Sequence, residues 1–220
     1  MTVSEFVDLT RLFDADAEHS LSLPAPEVET LADVARDGAN VQRVCTPTHA
    51  GTHVDAPRHV LVDGPTVDEY PLSRLTGEGV VLGVEVDGSR AVDRGDLVGA
   101  DTLRDGDAVL LSFGWAEHAG TEAYHRYPWL STDLADWLLA RDVSLLGMDT
   151  LSPDEPRESR DSDADPYPVH RRLLRAGVPV VENLADPSAL VGERVEVVCA
   201  PLSLRGGDGA PCRVLVRPLG

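Results

Sequence analysis

Apolar residues recur at two different spacings along the chain, and the switches between them mark its elements. Short β-branched runs bounded by Gly, Asp or Pro predict strands at Asn40–Thr46, Val80–Val86, Ala108–Phe113, Ser144–Met148, Val178–Val181, Arg194–Ala200 and Arg213–Arg217. Three-and-four spacing of Leu134, Trp137, Leu138 and Arg141 after Ser131 predicts a helix with serine as its N-cap. A second helix is expected from about Pro168 to Ala176, with proline near its start and Gly177 just past its end. Strands outnumber helices, so the expected class is α/β with a mixed sheet. No internal repeat or low-complexity linker interrupts it.

The 220 residues suit one sizeable core, and a single domain over residues 1–220 is expected. A composition of 42% apolar and 26% charged residues is that of an ordinary globular chain. No apolar run approaches the roughly 18 to 20 residues of a membrane span. Met1–Thr10 has no basic residue followed by an apolar stretch, so no secretory leader is expected and the cytoplasm is the default location. Cys45, Cys199 and Cys212 form no C-x-x-C pair and are expected to be reduced packing residues.

A net charge of −19 argues against nucleic acid as a partner. All nineteen basic residues are arginine, which removes lysine Schiff-base chemistry and the phosphate-binding P-loop. Neither the G-x-S-x-G elbow of serine hydrolases nor a G-x-G-x-x-G after a strand is present. A metal ion remains as the source of chemical power.

The candidate for holding one is His49-Ala-Gly-Thr-His-Val-Asp-Ala-Pro-Arg-His59, three imidazoles and a carboxylate within a few residues. These donors suit Zn²⁺, and Mn²⁺ or Fe²⁺ with less selectivity. Gly51 and Pro57 oppose a helix through the motif, so an extended or looped segment is expected. In an extended piece His53 and Asp55 share a side, and a bend at Gly51-Thr52 brings His49 round to them. His170 in the first turn of the second helix and Glu182 at the end of the following strand reach the same end of the layer by helix rise and strand return.

The motif resembles the H-x-G-T-H-x-D-x-P-x-H signature of the bacterial kynurenine formamidase and cyclase family of metal-dependent hydrolases. Asp8-Leu9-Thr10, Gly147–Asp154 and Val181-Glu182-Asn183-Leu184 resemble its other blocks. The resemblance implies a partly barrel-like sheet flanked by helices, the swivelling β/α cyclase-like fold. It implies two zinc ions, the first on His49, His53 and Asp55, the second on His170, with Asp55 and Glu182 bridging. His59 is similar to the family's acid/base, a role imidazole fills near neutral pH.

A small-molecule amide or formamide substrate follows, with a homodimer or larger homo-oligomer as the expected assembly and no membrane partner. A lactone or isatin-type hydrolase holding one Mn²⁺, a secondary-metabolism cyclase and a non-catalytic metal-binding subunit are the alternatives. Trp115, His118, Tyr124, His125 and Tyr127 form an aromatic-rich stretch that is a candidate pocket lining or a packed loop. In one respect the chain departs from the family: Leu12–Pro24 lacks the early tryptophan that stacks on the aromatic substrate.

Overall fold

Alternation along the strands sorts side chains to two sides of one closed sheet. The computed structural model describes residues 5–220 of the chain; Met1–Ser4, part of the stretch read for a leader, lie outside the described residues. In chain order the strands are β1 (Val7–Asp8), β2 (Glu27–Ala32), β3 (Val41–Cys45), β4 (His53–Asp55), β5 (Thr76–Val84), β6 (Ala91–Val92), β7 (Leu97–Val98), β8 (Ala108–Ser112), β9 (Trp129–Leu130), β10 (Leu145–Met148), β11 (Val180–Glu182), β12 (Arg194–Pro201) and β13 (Gly209–Pro218). The helices are α1 (Val34–Asp37), α2 (Leu72–Leu75), α3 (Thr132–Ala140) and α4 (Pro168–Arg175).

The ring runs β13–β12–β5–β8–β10–β11–β4 and closes because β4 pairs with the start of β13. Pairing is parallel from β5 through β8 and β10 to β11, and antiparallel elsewhere in the ring. The result is a mixed α/β single domain around a seven-stranded, closed barrel-like sheet, with β1 added along β13.

Inside the barrel lie Val54, Val81, Leu110, Val181, Val195, Val197, Cys199, Ala210, Cys212, Val214 and Val216. Outward side chains of the parallel strands, among them Val80, Leu82, Val109, Leu111, Leu146 and Val180, pack against Leu134 and Leu138 of α3 and Leu173 and Leu174 of α4. Strands covered on both faces read as continuous apolar runs, which is why β5, β8 and β10 were legible. Burying each of these leucines contributes about 1.5–3 kcal/mol.

The two expected helices form where the pattern places them. Ser131 accepts the Leu134 amide at 3.1 Å, closing the open end of α3. α4 starts at Pro168 and is followed by Gly177 at φ 75°.

The first expected strand is different. Val41–Cys45 pairs only with Glu27–Ala32 in a separate ribbon, and every residue of β3 is exposed. Its β-branched residues therefore reflect local pairing and no core position. Cys45 lies on this ribbon and is exposed, which corrects its expected packing role; Cys199 and Cys212 are buried, and all three cysteines are free. No helix among the described residues is long and apolar enough to cross a membrane.

Candidate metal centre

Strand alternation sets the orientation of the motif. Val54 and Val181 are opposite each other in the β4–β11 pair and point into the barrel, so His53 and Asp55 of β4 and Glu182 of β11 point outward toward α4. Glu182 stands directly across from His53 in register. Gly51 makes the preceding bend at φ 61°, where an added Cβ would lie 2.9 Å from the Phe13 ring; this brings His49 back over Asp55. His170 reaches the same spot from the first turn of α4.

The structure thus gathers His49, His53, Asp55, His170 and Glu182, with His59 beside them. His49 Nδ1 is 2.7 Å from Asp55 Oδ1, and His170 Nε2 is 3.0 Å from Asp55 Oδ2. His53 Nε2 lies 3.2 Å from Glu182 Oε2 and 3.4 Å from Asp55 Oδ1, and His170 Nε2 lies 3.2 Å from Glu182 Oε1. Among the described residues, two groups have donor atoms within 4.8 Å of one another: His53, Asp55 and Glu182, and His49, Asp55 and His59. Asp55 belongs to both, consistent with a bridging position, whereas His59 also lies close enough to be a donor.

Two features show that these residues fit a cation. His53 Nε2 and Glu182 Oε1 are buried and lack hydrogen-bond partners; although short contacts surround them, none has bonding geometry. An orphan of this kind costs about 1–3 kcal/mol, more when charged, and a cation between the donors removes the cost. Each imidazole also has its other nitrogen held by an outer acceptor. His170 Nδ1 faces Asp154 Oδ2 at 2.6 Å, His53 Nδ1 the Gly51 carbonyl at 2.9 Å, and His49 Nε2 Asp208 Oδ2 at 3.0 Å. That outer acceptor fixes the tautomer and turns the remaining nitrogen toward Asp55 and Glu182, the usual arrangement around ligating histidines.

The shell beyond these groups is equally connected. Asp154 also accepts the Val169 and His170 amides at 2.7 and 3.1 Å, satisfying the start of α4. Asn183, next to Glu182, has φ 58°. This left-handed backbone is tolerated by asparagine and locked here by four bonds. Its side chain donates to the Gly51 carbonyl and accepts from Tyr124 Oη, while its backbone bonds to Thr52 Oγ1 and the Thr150 carbonyl. Thr52 accordingly shapes the loop.

Without a metal the cluster behaves as linked imidazolium and carboxylate groups. Burial pulls the His49 imidazole down, but the Asp55 charge and bonds to Asp208 and Asp55 outweigh it and hold its pKa at about 9. Burial likewise opposes protonation of His53, and Asp55 and Glu182 raise it to about 10. His170 is held well above its ordinary value, against burial, chiefly by Asp154. Burial pushes Asp55 and Glu182 upward, as does the Asp55 charge on Glu182, yet the surrounding histidines hold both below the ordinary carboxylate range.

The sign is that these imidazoles carry protons at neutral pH which a cation must displace. Cation affinity should rise as pH increases toward 9 to 10, and binding at pH 7 should expel protons. Their contribution to metal-free stability is complete below the ordinary histidine pKa of 6.5 and lost as pH rises through 9 to 10. Calorimetry in two buffers of different protonation heat measures the release; zinc binding at pH 7 without it would contradict this assignment.

The cluster opens onto a cavity of about 490 Å³, reached by His49, His59, His170 and Glu182. Ser20, Ser22 and Leu23, from the segment lacking the early tryptophan, form part of its wall with Tyr127 and Tyr167. A smaller cavity of about 240 Å³ adjoins it through Ser20, Ser22 and Tyr127 and is lined also by His125. Trp115, His118 and Tyr124 line neither, which corrects the pocket reading for that part of the aromatic stretch. Tyr124 is buried under Asn183, and Trp115 Nε1 donates to its carbonyl at 3.0 Å. Sequence reasoning missed Asp154 and Asp208 as outer acceptors. Asp154 closes the Gly147–Asp154 block, which was the available signal; Asp208 lies in Gly-Gly-Asp-Gly, which reads only as a turn.

A closed mixed barrel thus carries a histidine–carboxylate cluster at the mouth of a cavity, the candidate active site of an enzyme. Comparison with known proteins agrees. The family model described as Putative cyclase matches residues 7–155, and the chain belongs to this cyclase family. A kynurenine formamidase from Bordetella petrii is 31% identical over 191 residues, covering 82% of each chain. Isatin hydrolase A from Labrenzia aggregata, solved with benzyl benzoate, superposes with a TM-score of 0.85 at 22% identity, covering 98% of this chain and 94% of that one. A potential metal-dependent hydrolase with cyclase activity gives 0.78 at 24% identity, with 98% of both chains covered. The two structural likenesses establish the fold. The chain is an enzyme, a hydrolase of the cyclase family.

Proposed function

We propose that the protein is a metal-dependent hydrolase of a C–N bond, acting on an aryl formamide or related amide. The observation that carries this reading is the cluster itself: three imidazoles with one nitrogen locked outward and the other turned on two shared carboxylates, opening onto a cavity beside His59. The similarity to a kynurenine formamidase over 82% of the chain supports the substrate class.

His49, His53, Asp55, His170 and Glu182 would hold the metal, two Zn²⁺ ions in this reading, with Mn²⁺ as the other fitting ion. When bound, it supplies an acidified water and a polarised carbonyl. His59, at the cavity wall with its ring centroid 5.5 Å from that of His170, delivers the proton that the leaving nitrogen needs. The Tyr167 ring stands edge-on to His59 and His170 at 5.8 and 5.6 Å, giving an aryl substrate an aromatic neighbour at the reacting end. The fold shared with isatin hydrolase A favours a cyclic amide as the second reading.

Because Ser20 occupies the cavity wall in the segment without the early tryptophan, aryl-formamide hydrolysis should be measurable but below the best attainable. Ser20→Trp should lower KM for N-formylkynurenine with less effect on kcat, the pattern of added uniform binding. An unmodified enzyme that prefers N-formylkynurenine to every isatin and lactone, with KM indifferent to Ser20→Trp and neighbouring substitutions, would remove the argument for altered preference. We also propose a homodimer or larger homo-oligomer, with the ribbon's exposed Val28, Leu31, Val41 and Val44 as a surface for a second copy. A monomer mass by light scattering would refute that assembly.

A further inference from the structure

One carboxylate oxygen of Asp208 faces two imidazoles to which the reading above gives different tasks. Oδ2 lies 3.0 Å from His49 Nε2 and 3.9 Å from His59 Nδ1. Asp208 is held by both its side chain and its backbone: Oδ1 accepts the Thr48 hydroxyl at 2.9 Å, and the backbone carbonyl accepts the Ala56 amide at 2.9 Å. The next residue, Gly209, pairs with Asp55 in the strand contact that closes the barrel. A Cβ there would come within 2.8 Å of His49 Cε1, so the His49 ring lies directly on the β13 backbone. The His49 and His59 rings are 4.0 Å apart between centroids.

We propose that Asp208 is a positioning residue that serves both imidazoles. It accepts from His49 Nε2, turning Nδ1 toward Asp55 and the metal position. It also draws the proton of His59 to Nδ1, leaving Nε2 of that ring to exchange a proton with substrate. A carboxylate oxygen has lone pairs for two donors. The 3.9 Å separation is that of an ion pair and exceeds hydrogen-bond length. Acid–base contacts of this type shorten when substrate is bound. The inference rests on the hydrolase reading for the task of His59.

Asp208→Asn preserves volume and the Thr48 contact, so a purely structural Asp208 would tolerate it. Under the proposal it is damaging, because Thr48 retains Oδ1 and the new amide N–H faces imidazole positions that must donate. The same exchange in a Ser-His-Asp triad costs about 10⁴ in kcat through the wrong tautomer. Zinc affinity should fall about 10- to 100-fold. With zinc restored to wild-type occupancy, kcat should remain at least about 100-fold down, with KM changed by no more than about twofold. Acetate should restore part of kcat to Asp208→Ala. In a His59→Ala background, Asp208→Asn should cost little further kcat at full occupancy, since residues acting as one unit are non-additive.

Wild-type kcat in Asp208→Asn would overturn the proposal. So would full recovery of kcat once zinc is saturating, which assigns Asp208 to His49 alone, or equal further loss in the His59→Ala background. Failure of the hydrolase reading has a separate signature: the zinc-saturated wild-type protein would itself hydrolyse no formyl-anilide, isatin or lactone, whereas wild-type turnover by His59→Ala would withdraw only the acid–base task of His59.

Discussion

His59→Ala is expected to bind metal to wild-type occupancy and to lose about 100- to 10,000-fold in kcat, the range general acid–base assistance supplies. Five other side chains already converge on the candidate metal position, four of them nearly fully buried. His59 lies to one side, with 21% of its side chain exposed. Removing its imidazole takes away the group that can protonate a leaving nitrogen while leaving those donors in place. Because His59 is also close enough to complete a donor set with His49 and Asp55, metal content decides the matter. A metal-depleted His59→Ala protein would make His59 a ligand and reverse the assignment.

The complementary result is expected at the centre of the cluster. His53→Ala should lose both metal and activity, because His53 Nε2 is a buried donor with no other hydrogen-bond partner. Glu182→Gln should release one ion before the other: a neutral amide cannot balance two dications, although it keeps the strand register opposite His53. Elemental analysis of the metal-saturated variants separates the cases. If Glu182→Gln retained a full complement, Glu182 would have no bridging role. Far-ultraviolet circular dichroism of the metal-free variants guards against a folding defect, since removing a partner from a buried charged cluster costs about 3–5 kcal/mol.

Much of the site was legible because its chemistry is compressed into one segment. His49 to Asp55 spans a bend and a strand, and the period-two rule alone puts His53 and Asp55 on one side. The helix from Pro168 and the strand ending at Glu182 carried their own terminus and apolar signals, so His170 and Glu182 could be placed at the same end. β4 itself shows in the sequence only as an extended or looped segment, since three residues, two of them polar, give no strand pattern. Its identity comes from pairing with β11 and β13, and the latter contact joins residues far apart in sequence.

The ribbon strand β3 shows the opposite failure. Its β-branched residues predicted a strand correctly, but nothing local said that both faces would be exposed. Asp154 and Asp208 were hidden differently, as two of thirty-eight acidic residues in an acidic chain, with their roles fixed only by the histidines they face in space.

Metal-dependent turnover tests the central claim most directly. The protein is stripped with a chelator, zinc is returned in increments, bound metal is counted by elemental analysis, and hydrolysis of formyl-anilides including N-formylkynurenine, isatins and lactones is followed at each point. The expected result is no hydrolysis by the stripped protein and a rate that rises with bound zinc toward two ions per chain. Full-rate hydrolysis by the stripped protein, or a fully loaded protein that hydrolyses none of these substrates, would contradict it.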